Sequence, residues 1–157
     1  MQYSITHSCG HQKAANIVGT DTHGERQRKA EWLATRLCPD CARQQRDAAN
    51  QQENENAATR ARAAGWPALT GTDRQVAWAE TLRSTKTDQV REALRGSVSD
   101  SAAGEVLRMW ERVVLAGHTD AAWWIEQSRY TKGLRLLYLN CTDEDKSRLR
   151  TLSEEAK

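Results

Sequence analysis

Cys9-Gly10-His11 and Cys38-Pro39-Asp40-Cys41 are the two stretches that decide how this chain folds. Thiolates and an imidazole arriving as two close pairs, with enough chain between them to fold, are what a tetrahedral zinc ion takes as protein ligands. Pro39 fixes a tight turn that aims successive amides at sulfur, and Gly10 permits the positive φ that does the same for the first pair. The expected ligands are Cys9, His11, Cys38 and Cys41 around one structural Zn2+. His7, at knuckle spacing from Cys9, and His23, between the two halves, are the alternates. Four protein ligands leave no place for water; without His11 the site would keep three and an opening, the arrangement of a catalytic zinc. The competing readings are a redox pair formed by Cys38 and Cys41, or cysteines buried without connection to one another.

Working outward, Tyr3 to Thr6 alternates apolar and polar residues and reads as a short strand entering the first knuckle, with Asn16 to Thr20 as its return strand. From Gly24 the period changes: Ala30, Leu33, Ala34 and Leu37 form one helical stripe that delivers the chain to Cys38. After Cys41 a helix opens at Ala42. The expected fold is mainly α with a small α+β zinc module, a β-hairpin and knuckles followed by a helical region. Its divisions are 1–46 for the module, 47–65 for an exposed helix or linker, and 66–157 for a helical domain that can pack with the module as one body.

Between residues 42 and 64 no apolar side chain exceeds alanine, so little core is expected there, and Asn50 to Asn56 is where disorder is expected. Gly65-Trp66-Pro67 ends the segment. Thr72 and Gln75 make a capping box for a helix carrying Val76, Ala79 and Leu82 on one face, flanked by Trp78. A separate short helix is expected from Asp88 to Arg95. The strongest period, Ala103, Val106, Leu107, Trp110, Val113 and Val114, marks a helix after Ser99 to Ser101 that runs to Ala116, with Gly117 as its C′ residue. Asp120 caps residues 121 to 128, where Trp123 and Trp124 cannot share one face. Leu134 to Leu139 is too short to assign by period. Cys141 has no partner nearby in sequence and reads as a buried small apolar residue. Thr142 to Asp145 starts a last helix with Leu149 and Leu152.

The two knuckle stretches, together with Gly24-Glu25-Arg26-Gln27-Arg28-Lys29-Ala30-Glu31-Trp32-Leu33-Ala34 between them, resemble the N-terminal module of small zinc-ribbon-like or treble-clef-like proteins of bacteria, phages and plasmids. The likeness continues through Leu69 to Glu80, with its Trp-Ala-Glu run, and through Trp123-Trp124-Ile125. The resemblance implies a phage or mobile-element setting, in which small proteins bind host replication or defence components; an anti-defence inhibitor of the anti-CRISPR kind fits it.

Charge narrows the partner. The net formal charge is +2, with nine basic against seven acidic residues up to residue 65 and fourteen against fourteen after it. That balance argues against a chain held to nucleic acid by electrostatics alone. The basic candidates for a binding surface are Arg26, Arg28, Lys29 and Arg36, with Arg43 and Arg46 beyond the knuckle. Glu25, Glu31, Asp40 and Asp47 interleave with them, so a protein partner is favoured over nucleic acid. For nucleic acid, a stacking platform at Trp124 beside Arg129 and Lys132 is the other candidate surface. No phosphate-cradling loop or nucleophile elbow occurs, and His118 with Asp120 is a weak dyad because Asp120 has capping work to do. Glu80, Glu105, Glu111 and Glu126 read as surface charges. A non-enzymatic binding protein is expected, with a nucleic-acid accessory protein and a metal-dependent hydrolase as the alternatives. No apolar run approaches the ~20 residues that span a bilayer, and cysteines read as metal ligands belong in the reducing cytoplasm.

Overall fold

The computed structural model describes residues 1–127 and 131–154. The chain divides into two units, Met1–Gln52 and Glu53–Lys157.

The first unit begins with an antiparallel hairpin, β1 (Gln2–Thr6) and β2 (Gln12–Asn16), in the register Thr6 opposite Gln12 and Gln2 opposite Asn16. The return strand therefore starts at Gln12 and not at Asn16. The turn sets this: the amide of His7 donates to the His11 carbonyl at 3.0 Å, and Gly10, at φ +79°, donates to the carbonyl of His7 at 2.8 Å. A loop this tight sends the chain straight back, whatever the polarity of the strand that follows. Helix α1 spans Glu25–Ala34. It ends before Leu37 because Arg36 is drawn off the helix, its carbonyl accepting from Ser8 N at 3.0 Å. Ala30, Leu33 and Ala34 are half-buried and Leu37 is exposed, so the stripe packs only in part.

Helix α2 runs unbroken through Pro39–Ala63 and belongs to both units. Asn50 to Asn56, expected to be disordered, is helical. In the second unit Ala57 and Ala61 are buried, and Thr81 donates to Asn54 at 2.7 Å. Alanine packs closely enough to anchor a helix that lacks large apolar side chains.

The second unit contains α3 (Asp73–Leu94), α4 (Asp100–Trp110), which continues into a π-helical turn at Glu111–Leu115, then α5 (Ala121–Gln127), α6 (Gly133–Asn140) and α7 (Asp143–Glu154). The Thr72–Gln75 capping box is formed, and Ser99 caps α4. Helix α3 is one helix where two were expected. Its inner face in the middle is Arg83, Ser84, Lys86 and Thr87, all buried, so the apolar period lapses while the helix continues. Trp110 lies at the centre of the core, donating from Nε1 to Thr87 Oγ1 at 3.0 Å, and meets Trp124 edge-on at 6.4 Å. Gly117 is not a left-handed C′ residue: it is small because a Cβ there would come within 2.4 Å of the Val113 carbonyl oxygen. Leu134 to Leu139 is helical, within α6. Among the described residues no helix is long and apolar enough to cross a membrane.

Candidate metal centre

Two local features aim the ligands. Cys38 precedes Pro39, the first residue of α2, and its carbonyl accepts from Ala42 N at 2.9 Å. Cys38 thus stands at the helix N-terminus, where the proline that follows it is accommodated. Its Sγ accepts from the amide of Cys41 at 3.4 Å, while its own amide donates to Cys9 Sγ at 3.4 Å. The Gly10 turn brings His11 opposite, with Nδ1 at 3.1 Å from Cys41 Sγ and 3.7 Å from Cys38 Sγ.

The ligand atoms of Cys9, His11, Cys38 and Cys41 all lie within 4.8 Å of one another. Bonds of ~2.3 Å to sulfur and ~2.0 Å to nitrogen in a tetrahedron separate ligand atoms by roughly 3.5–3.8 Å, so the cluster matches zinc to within a small contraction. The amide of Cys38, and next the chain at His11, lower the Cys9 thiol to about 6, while its bond to Cys38 and then burial push Cys41 up to about 11. A divalent cation bound there would be held by the sulfurs as thiolates. Outside the sulfurs, Lys13 on β2 pairs with Asp40 at 2.8 Å, lowering the Asp40 carboxyl and joining the hairpin to the knuckle.

His7 and His23 stand outside this cluster. His7 is buried and donates from Nδ1 to the carbonyls of Leu33 at 3.0 Å and Arg36 at 3.2 Å, closing the C-terminal end of α1. His23 lies in the loop before α1, its amide donating to Glu25 at 3.0 Å. Cys141 belongs to the second unit, buried with Sγ 3.8 Å from Met109 Sδ; burial raises its thiol.

The candidate binding surface changes more. Trp124 is 1% exposed and donates to the His118 carbonyl at 2.8 Å, so it presents no face for stacking. Arg129 lies outside the described residues, and Lys132 is exposed at the start of α6. Trp123 is half-buried and stacked on His118, whose Nε2 lies 3.0 Å from Asn140 Oδ1, and Asp120 caps α5 through Ala122 N. Glu80, read as a surface charge, is buried against Arg83 at 3.2 Å. Arg26 donates to the Gly19 carbonyl at 3.0 Å and Arg28 to that of His23 at 2.7 Å; both serve the loop before α1. Arg43 pairs with Asp40 at 3.2 Å and Arg46 is exposed. The residue missed from sequence is Trp32. It is 46% exposed on α1, with Lys29 Nζ at 4.1 Å and Arg36 Cζ at 4.8 Å from its ring centroid. Its spacing from both cations, three residues back and four on, was the signal available.

No protein-family model matches this chain, and neither curated proteins nor solved structures yield a significant match.

Proposed function

We propose that this protein is a non-enzymatic binding protein in which one structural zinc folds the N-terminal unit so that α1 engages another macromolecule. The observation that carries the reading is a deficit. Within Met1–Gln52 only Ile5, His7, Ile17 and Cys38 are buried. A unit of that size with so small a core does not hold its own shape, and small domains of this kind depend on a metal or disulfides. The Cys9, His11, Cys38, Cys41 cluster supplies the missing anchor. A complete set of four protein ligands has no position for a substrate or water, which supports a structural metal and speaks against a hydrolase.

What the staple would present is α1, a helix with no fully buried residue. Helices held in place at such cost to the core serve contact with something outside the unit. A protein target, such as the host defence or replication component implied by the resemblance, is one class of partner; nucleic acid is the other. The test is affinity enrichment from cell extract with the zinc-loaded protein and with Cys38→Ser. A macromolecule retained by the first and lost from the second is the expected result. Equal retention by both, or none by either, contradicts the reading.

A further inference from the structure

We infer that the Lys29, Trp32, Arg36 face of α1 binds single-stranded nucleic acid, with a base stacked on the Trp32 indole and the flanking cations on its phosphates. This rests on the proposed zinc-stapled unit and names its partner.

Trp32 is exposed where large aromatics ordinarily pack, and its ring is attended by two cations: Lys29 Nζ at 4.1 Å and Arg36 Cζ at 4.8 Å. Neither cation has a carboxylate partner among the described residues, whereas Lys13, Arg28 and Arg43 of the same unit do. Lys29 also borders a groove of about 380 Å³ whose lining includes the apolar Ile17, Val18 and Leu33 and the charged Glu25 and Arg26. Cations resting on an exposed indole are weakly held and exchange readily for a better partner. A nucleotide offers both halves of that exchange at once: its base replaces the cation over the ring, and its phosphate receives the cation displaced. An acidic peptide satisfies the cations but leaves the indole uncovered. A duplex has both faces of each base already stacked, so the strand must be single.

The metal site sets the geometry of this face. Arg36 is tethered through its carbonyl to Ser8 N at 3.0 Å and to His7 Nδ1 at 3.2 Å, beside the ligand Cys9. The spacing of Arg36 from Trp32 therefore depends on the knuckle. The sequence could not weigh this surface, because Glu25 and Glu31 interleave with its cations; in the structure Glu25 accepts from His23 N and Glu31 from Gln27, and neither pairs with Lys29 or Arg36.

The experiment is fluorescence anisotropy of labelled oligodeoxythymidine, oligouridine, a DNA duplex and a polyglutamate peptide against the full-length zinc-loaded chain. Binding of either single strand over the duplex and the peptide is expected, and the two single-stranded probes tell DNA from RNA as the source. Trp32→Ala is expected to weaken binding by about tenfold or more, and Trp32→Phe, which keeps a π face, to restore most of it. Lys29→Gln with Arg36→Gln is expected to flatten the slope of log K against log salt by about 1.4, two phosphate contacts' worth. Zinc content equal to the parent's shows that each variant is folded. Absence of single-strand binding at low salt, or equal binding by Trp32→Ala, overturns the inference. Binding of the peptide alone overturns it in favour of an acidic protein partner and leaves the zinc-stapled binding reading intact. Loss of that reading would show separately, as binding indifferent to Cys38→Ser.

Discussion

The imidazole of His7 donates from Nδ1 to the Leu33 carbonyl at 3.0 Å, so the histidine two residues before Cys9 closes a helix while the one two residues after it faces the sulfurs. Sequence spacing alone makes the two equivalent. The distinction gives a clean mutational test: His11→Ala lowers zinc affinity, measured by competition with a chromophoric chelator, and His23→Ala leaves it unchanged. His7→Ala keeps one zinc per chain but destabilises the first unit by about 1–3 kcal/mol, the loss of a buried hydrogen-bonding group. Zinc lost on removing His7 and kept on removing His11 would assign the ligands the other way.

Glu80 and Arg83 form a buried ion pair in which Glu80 Oε2, Arg83 Nε and Arg83 Nη2 have no hydrogen-bond partner among the described residues. Arg83 also donates to the Pro67 carbonyl at 3.0 Å, and its Cζ lies 5.1 Å from the Trp66 ring centroid and 5.9 Å from that of Trp124. Burial raises the Glu80 carboxyl, and the arginine only partly opposes it. Breaking such a pair from one side leaves an uncompensated charge, so Glu80→Ala should cost about 3–5 kcal/mol in denaturant unfolding. Replacing both, as Glu80→Leu with Arg83→Met, should cost less than Glu80→Ala alone. A double variant less stable than the single would show that the pair contributes net stability.

Two glycines of the second unit should respond in opposite directions to alanine. A Cβ at Gly133 would come within 2.5 Å of the Lys86 carbonyl oxygen and 2.7 Å of Val90 Cγ2, where α6 meets α3. Backbone cannot yield as a side chain can, and Gly133→Ala should destabilise by about 3 kcal/mol. At Gly104, inside α4, a Cβ would meet only the end of Arg108 at 3.6 Å. Gly104→Ala should stabilise by about 0.5–1 kcal/mol through helix propensity. Equal thermal midpoints for the two variants would contradict this packing.

Acid should weaken the second unit in a specific way. Asp145 is held below the usual carboxylate range, first by the hydrogen bond from Arg112 at 2.6 Å, and Glu105 likewise by Arg148. A carboxyl whose pKa is lowered in the folded state contributes fully above its unfolded pKa of about 4 and loses that contribution as pH falls through the folded value. Glu80, raised by burial, has the opposite sign and is relieved by protonation. Thermal midpoints should fall below about pH 4, and Asp145→Asn should flatten that limb. An unchanged acid limb in Asp145→Asn would remove Asp145 from the account.

Local signals were legible in the sequence and tertiary overrides were not. The helical architecture with an N-terminal hairpin, the Thr72 capping box, and the grouping of Cys9, His11, Cys38 and Cys41 all follow from residues close together in the chain or from ligand chemistry. The apolar pattern points to a second strand from Asn16, four residues late, because Gln12 to Asn16 carries no apolar alternation; the tight His7 to His11 turn, not the pattern, positions it. Helix α3 read as two because its buried middle is polar. Trp124, a candidate stacking platform by sequence, fills the core, while Trp32, to which the sequence reading gives no role, is open. Exposure of a single aromatic depends on what packs over it, and no local period encodes that.

Native mass spectrometry of the protein purified without added metal, before and after denaturation, tests the central claim most directly. One zinc per chain that leaves on unfolding, and is absent from Cys38→Ser, is the predicted result. A folded chain carrying no metal would mean that Cys9, Cys38 and Cys41 meet for another reason, and the zinc-stapled unit, with the binding face built on it, would fall.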